Sequence, residues 1–172
     1  MKPFIISTLV VCISTWLCAG ESKGPAQAAS PEFQRMKSLV GTWKGSADMG
    51  DGPKEFTVEY RLVSGGSALE ERVFAGSPKE MVTMYYERKG KLGLTHYCML
   101  GNRPGMFLKS ADAKSIQFDF DPKCGVDARS EMHMHALTIT FQDADTIVQD
   151  WKLFENGKAK DSHGFTLKRV KG

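Results

Sequence analysis

The chain is poor in the features that announce most enzymes and nucleic-acid-binding proteins. It has four cysteines in 172 residues, and two of them, Cys12 and Cys18, sit in an N-terminal apolar stretch. No paired zinc-finger cysteines occur, and no Gly-x-Ser-x-Gly, His-Glu-x-x-His or phosphate-loop pattern. Hydrolysis by an activated serine, zincin-type metallocatalysis and P-loop phosphate binding are therefore without their usual signatures. Charge of one sign is never concentrated. The 23 Lys and Arg are interleaved with 20 Asp and Glu, and Arg88-Lys89-Gly90-Lys91 is a short basic run at a turn. Nucleic acid and membrane surfaces need a basic patch, so neither is an expected partner. Beyond Gly41 no helix-length periodic segment occurs, which excludes parallel βαβ units.

The one long apolar run is Phe4 to Leu17, preceded by Lys2 and followed by Cys18-Ala19-Gly20. A short positive segment, an apolar stretch too brief for a membrane span and small residues at a cleavage site form the layout of a secretory signal peptide over 1–20. A second cleavage position lies after Ala28. Cys18 follows Leu17 with Thr15 three before it, so the lipoprotein pattern fails. The expectation is an exported protein, periplasmic or extracellular, with no membrane span once the signal is removed. Loss of Lys2 lowers the formal charge from +3 to +2. Residues 21–30, rich in Ser, Gly, Ala and Pro, read as a flexible leader. One domain is expected over 31–172.

Ser30 as N-cap with Pro31 at the first helical position predicts a short helix to Leu39, with Phe33, Met36 and Leu39 on one face. After Gly41 the periodicity becomes alternating. Phe56, Val58, Tyr60 and Leu62 alternate with polar residues, as do Ile116, Phe118 and Phe120. Leu92, Leu94, His96 and Cys98 share a face, as do Ile147, Gln149, Trp151 and Leu153. About ten strands at spacings of roughly 8–14 residues follow, punctuated by turn chemistry. Asn156-Gly157 is the strongest turn, since both residues accept the positive φ of a type I′ hairpin. Short connections favour an all-β, single antiparallel up-and-down barrel over a sandwich.

Gly41-Thr42-Trp43, opening the first strand after a short helix, resembles the signature of the lipocalin and fatty-acid-binding-protein group. The resemblance implies that Trp43 and Arg169 close one end of the barrel, the guanidinium stacked on the indole. The segment Thr95-His96-Tyr97-Cys98-Met99-Leu100-Gly101-Asn102-Arg103-Pro104-Gly105-Met106, with Met132-His133-Met134-His135, is similar to an uncharacterised bacterial family of lipocalin-like domains. That likeness runs from about Met36 to Val170. It implies a lumen for a small molecule.

All four histidines fall on the apolar face of their strands: His96, His133 and His135 (with Leu137, Ile139 and Phe141), and His163. Inward imidazoles need partners, because an unpaired buried polar group costs about 1–3 kcal/mol. The expected site is a lumen lined by Tyr60, Tyr85, His96, His133, His135 and Trp151, holding an amphipathic or aromatic ligand. Alternatively, His133 and His135 with His96 or His163 hold a divalent metal, or a histidine ligates haem. In a third reading the histidines lie at strand ends and are structural. Glu71 shares a face with Leu69 and Val73 and is read as a solvated strand-end residue, a lumen carboxylate being the alternative. Cys98 and Cys124 make an even pair in an exported chain and suggest a disulfide closing 25 intervening residues, with about 3 kcal/mol of stabilisation. The other reading is two free thiols. Cys98 beside His96 is the nearest approach to a nucleophile–base pair, without an oriented third group. An enzyme on the same lumen is thus the weakest reading.

Overall fold

A computed structural model describes residues 29–48 and 52–171. The expected signal peptide and all but the end of the leader lie outside the described residues. The helix α1 spans Pro31–Lys37 and is capped as its sequence directs, the Ser30 hydroxyl accepting from the Phe33 N–H at 3.1 Å. Ten strands follow: β1 Gly41–Asp48, β2 Pro53–Val63, β3 Ala68–Val73, β4 Met81–Arg88, β5 Lys91–Tyr97, β6 Gly105–Ala111, β7 Ser115–Phe120, β8 His133–Phe141, β9 Thr146–Glu155 and β10 Lys158–Arg169. Each strand pairs antiparallel with its neighbours in sequence, and β1 closes on β10 through Trp43↔Arg169 and Lys44↔Lys168. The molecule is a closed up-and-down barrel. Among the described residues no helix is long and apolar enough to cross a membrane.

Local chemistry sets the meander. Asn156 and Gly157 have φ of 52° and 72°, and Lys89 and Gly90 have 53° and 73°. Both pairs turn a two-residue hairpin whose twist matches the flanking strands. Period-2 alternation then decides which side chains enter the barrel, so Val58, Leu69, Tyr85, Leu94, Ile116, Leu137 and Leu167 are all fully buried.

The two ends of the barrel differ. At the end where β1 begins, α1 lies across the opening and inserts Phe33 and Met36, with Leu39 beside them, none more than 2% exposed. Each such apolar side chain contributes about 1.5–3 kcal/mol. The Trp43 indole N–H donates to the Leu39 carbonyl at 2.8 Å, and the Arg169 guanidinium lies 4.2 Å over the indole ring. The same guanidinium donates to Val40 and Ser38 carbonyls at 2.8 Å each. Arg35 adds a bond to the Asp112 carbonyl at 2.6 Å and covers the Phe141 ring at 4.1 Å. This end is sealed. At the other end, formed by the β3–β4, β5–β6, β7–β8 and β9–β10 connections, the described residues leave the barrel open onto a cleft.

Candidate functional site

The centre of the barrel is polar, and the polarity is arranged by strand register. Tyr60 pairs with Glu71, Glu71 with Thr83, and Thr83 with His96, so one rung across β2, β3, β4 and β5 carries four polar side chains inward. Tyr85, one inward position nearer the sealed end, and Gln149, across the barrel, join it. Glu71 is fully buried. Its carboxyl accepts from the Tyr60 hydroxyl at 2.6 Å and the Tyr85 hydroxyl at 2.8 Å, and from the Gln149 amide N–H. The same amide donates to the Tyr60 oxygen at 2.6 Å, and the Trp151 indole N–H donates to the Gln149 carbonyl at 3.2 Å. Trp151 only donates, so the orientation of the Gln149 amide is determined by its partners. Burial pushes the Glu71 carboxyl up, while hydrogen bonds from Tyr60, Gln149, Tyr85 and Thr83 pull it back. Burial, then the charge of Glu71, raises both tyrosine hydroxyls well above their ordinary range. They act as hydrogen-bond donors and not as bases.

Above this rung, toward the open end, lies a cleft of about 370 Å³. Its walls are apolar, including Phe74, Met81, Met134, Leu153 and Phe165, and its rim carries Met99 and Leu100. The rim pair is 56% and 41% exposed. His96 and Trp151 line the cleft from the centre of the barrel, their rings 4.6 Å apart. His163, the cross-strand partner of Trp151, and Asp48 add polar groups. His96 is 2% exposed, and burial lowers its pKa to about 4, so the ring is neutral at physiological pH. Its Nδ1 faces the Thr83 hydroxyl at 2.9 Å.

The expected lumen set therefore divides. His96 and Trp151 line the cleft. Tyr60 and Tyr85 are spent on Glu71, beneath it. His133 and His135 do not line it, which corrects the expectation that they share the inward face of Leu137 and Ile139. The cause is a bulge in β8: Met134 pairs with Leu153 and Ala136 with Lys152, leaving His135 as the extra residue. Met134 takes the inward position. His135 instead borders a depression on the outer wall with Lys109, Asp119, Thr138 and Lys152. There its ring stacks on Phe154 at 3.8 Å and on Phe120 at 5.0 Å. His133, fully buried, bonds the Glu131 carbonyl through Nδ1 at 2.7 Å and His135 Nδ1 through Nε2 at 2.9 Å. These rings are structural partners of each other.

Two further expectations are corrected by the same geometry. Among the described residues no three His, Cys, Asp or Glu side chains gather where they could hold a metal ion. His96, His133 and His135 are not a metal triad, since the bulge sends the last two to the outer wall. Cys98 and Cys124 are free thiols. Cys98 ends up on the cleft wall, whereas the Cys124 Cβ packs where a Gly105 side chain would stand. Burial raises the Cys98 thiol, the opposite of what an activated nucleophile needs. Glu71, read from sequence as a solvated residue, is fully buried inside the barrel. Thr83 and Gln149 belong to the site although the sequence reading assigns them no role in it. Their signal was present, a polar residue on an otherwise apolar strand face, beside Tyr85 and between Ile147 and Trp151.

Fold and site together define a closed β-barrel with a polar centre, one sealed end and one cleft. No protein-family model matches the chain, and no curated protein does. Among solved structures, the chain is similar to a protein of unknown function from the DUF3598 family of Nostoc punctiforme PCC 73102. The identity is 12% and the TM-score 0.41, over 78% of this chain and 48% of that one. The chain spans about half the length of that neighbour.

Proposed function

We propose that this chain is an exported, lipocalin-like barrel that binds one small aromatic or amphipathic molecule in the cleft at its open end. The observation that carries the reading is the cleft itself: about 370 Å³ of apolar-walled space with His96 and Trp151 at its inner limit. Ligand pockets of folded proteins span about 300–1,000 Å³ and combine apolar walls with a few placed polar groups. A space of this size suits a molecule of one or two rings. The apolar segment Phe4 to Leu17 supports export, which a mass measurement of the mature N-terminus after expression in a Gram-negative host would test.

Titration with the neutral fluorophore N-phenyl-1-naphthylamine tests the binding. Saturable uptake at one equivalent is expected, with quenching of Trp151. Met134→Trp, which fills the cleft from its wall, should abolish uptake. Undiminished uptake by that variant, with the fold intact by circular dichroism, would place the binding elsewhere and overturn the reading.

A further inference from the structure

We propose that the cleft selects neutral ligands that carry a hydroxyl or N–H donor on an aromatic ring, and that Nε2 of His96 accepts that hydrogen bond. The inference rests on the cleft being a binding site and adds the chemical class of what it takes.

A carboxylate only accepts. Glu71 is surrounded by donors from Tyr60, Tyr85 and Gln149, and Thr83 stands directly opposite it across the β3–β4 ladder, where its hydroxyl helps to hold the carboxyl down. A threonine hydroxyl has one proton, and an anionic carboxylate is a stronger acceptor for it than a neutral imidazole. The bond between Thr83 and His96 Nδ1 therefore runs the other way: Nδ1 carries the ring proton and donates to the Thr83 oxygen. In a neutral imidazole this leaves Nε2 as a bare lone pair.

That nitrogen has no hydrogen-bond partner among the described residues, although His96 is 2% exposed. It is not sealed in either: the fully enclosed, unpartnered side-chain polar atoms of the described residues are Arg35 Nη2 and Asn102 Oδ1. With Nδ1 turned to Thr83, the opposite edge of the ring is left to face the cleft that His96 lines. An acceptor held at the end of an apolar cleft by a fixed chain of hydrogen bonds is a recognition element. A phenol, naphthol or indole would satisfy it while its ring packs near Trp151 and Phe165. A carboxylate ligand would meet the Nε2 lone pair with the Glu71 charge behind it, and an ether would leave the acceptor unpaired.

The test compares 1-naphthol, 1-methoxynaphthalene and 1-naphthoate by calorimetry, with ¹⁵N spectra of the histidines in the free protein. 1-Naphthol is expected to bind about tenfold or more tightly than its methyl ether, the ratio for leaving one buried acceptor unpaired. Naphthoate is expected to bind weakest. His96→Phe should bring the naphthol and its ether to equal affinity, and Thr83→Val should reduce the ratio by freeing Nδ1. The spectrum should show the His96 Nε2 as an unprotonated nitrogen. Equal affinity of the two neutral probes for the wild type overturns the inference but leaves the cleft as a binding site. Failure of all three probes overturns the binding reading and the inference with it. A protonated Nε2 in the free protein overturns the inference alone, whether or not the variants fold.

Discussion

The two ends of the barrel are built from the same strands and use their polar groups in opposite ways. At the sealed end the two closing side chains are committed, the Trp43 indole to Leu39 and the Arg169 guanidinium to Val40 and Ser38. At the open end the cleft is walled by apolar side chains, and the His96 ring presents an uncommitted nitrogen toward it. Between them the Glu71 rung faces both ways, closed beneath and linked through Thr83 to the cleft above. The contrast separates a half that stabilises the fold from a half left available for recognition.

Substitutions should separate the halves by size of effect. Trp43→Ala removes a fully buried indole and the surface under Arg169, and should lower unfolding free energy by about 3–5 kcal/mol in denaturant titration. A cost under about 1 kcal/mol would mean that the sealed end is not the stabilising half.

Next in size is the acid response of His96. Its folded pKa of about 4 lies below the ordinary 6.5, so the unfolded chain takes up the proton first. The stability is present above about pH 6.5 and is lost as pH falls toward 4, by up to about 3 kcal/mol. Glu71, whose carboxyl is raised, acts in the opposite sense at low pH. The effect of His96 is therefore read as a difference: stability against pH for the wild type minus that for His96→Phe should fall by this amount between pH 7 and 4. A flat difference would mean that the ring is solvated.

Arg169→Ala should cost about 1–2 kcal/mol through loss of the stacked cation. Met99→Ser, at the exposed rim, should change stability by less than about 0.5 kcal/mol while weakening N-phenyl-1-naphthylamine binding. An unchanged affinity would remove the rim from the site.

Much of the architecture was legible because it is local. Asn156-Gly157, the Ser30–Pro31 helix start and the alternation in β2, β7 and β9 each depend on residues a few positions apart. The errors were in quantities that pairing decides. His133, His135 and Leu137 alternate without interruption in the sequence, and only the pairing of β8 with β9 inserts the extra residue that turns the two rings outward. β6 carries a second irregularity, between Leu108 and Ser110, and its alternation is correspondingly blurred. Glu71 reads as a solvated strand-end residue in the sequence because its partners come from elsewhere, Gln149 standing 78 residues away. Burial of a carboxyl becomes tolerable when several donors converge on it. The spacing of Cys98 and Cys124 likewise carried no information about the distance between them.

A crystal structure of the protein soaked with 1-naphthol is the most direct measurement. The account predicts the naphthyl ring inside the cleft beside Trp151, with its oxygen about 2.8 Å from His96 Nε2. A naphthol bound instead on the outer wall, against His135 and Phe154, with the cleft unchanged, would contradict it.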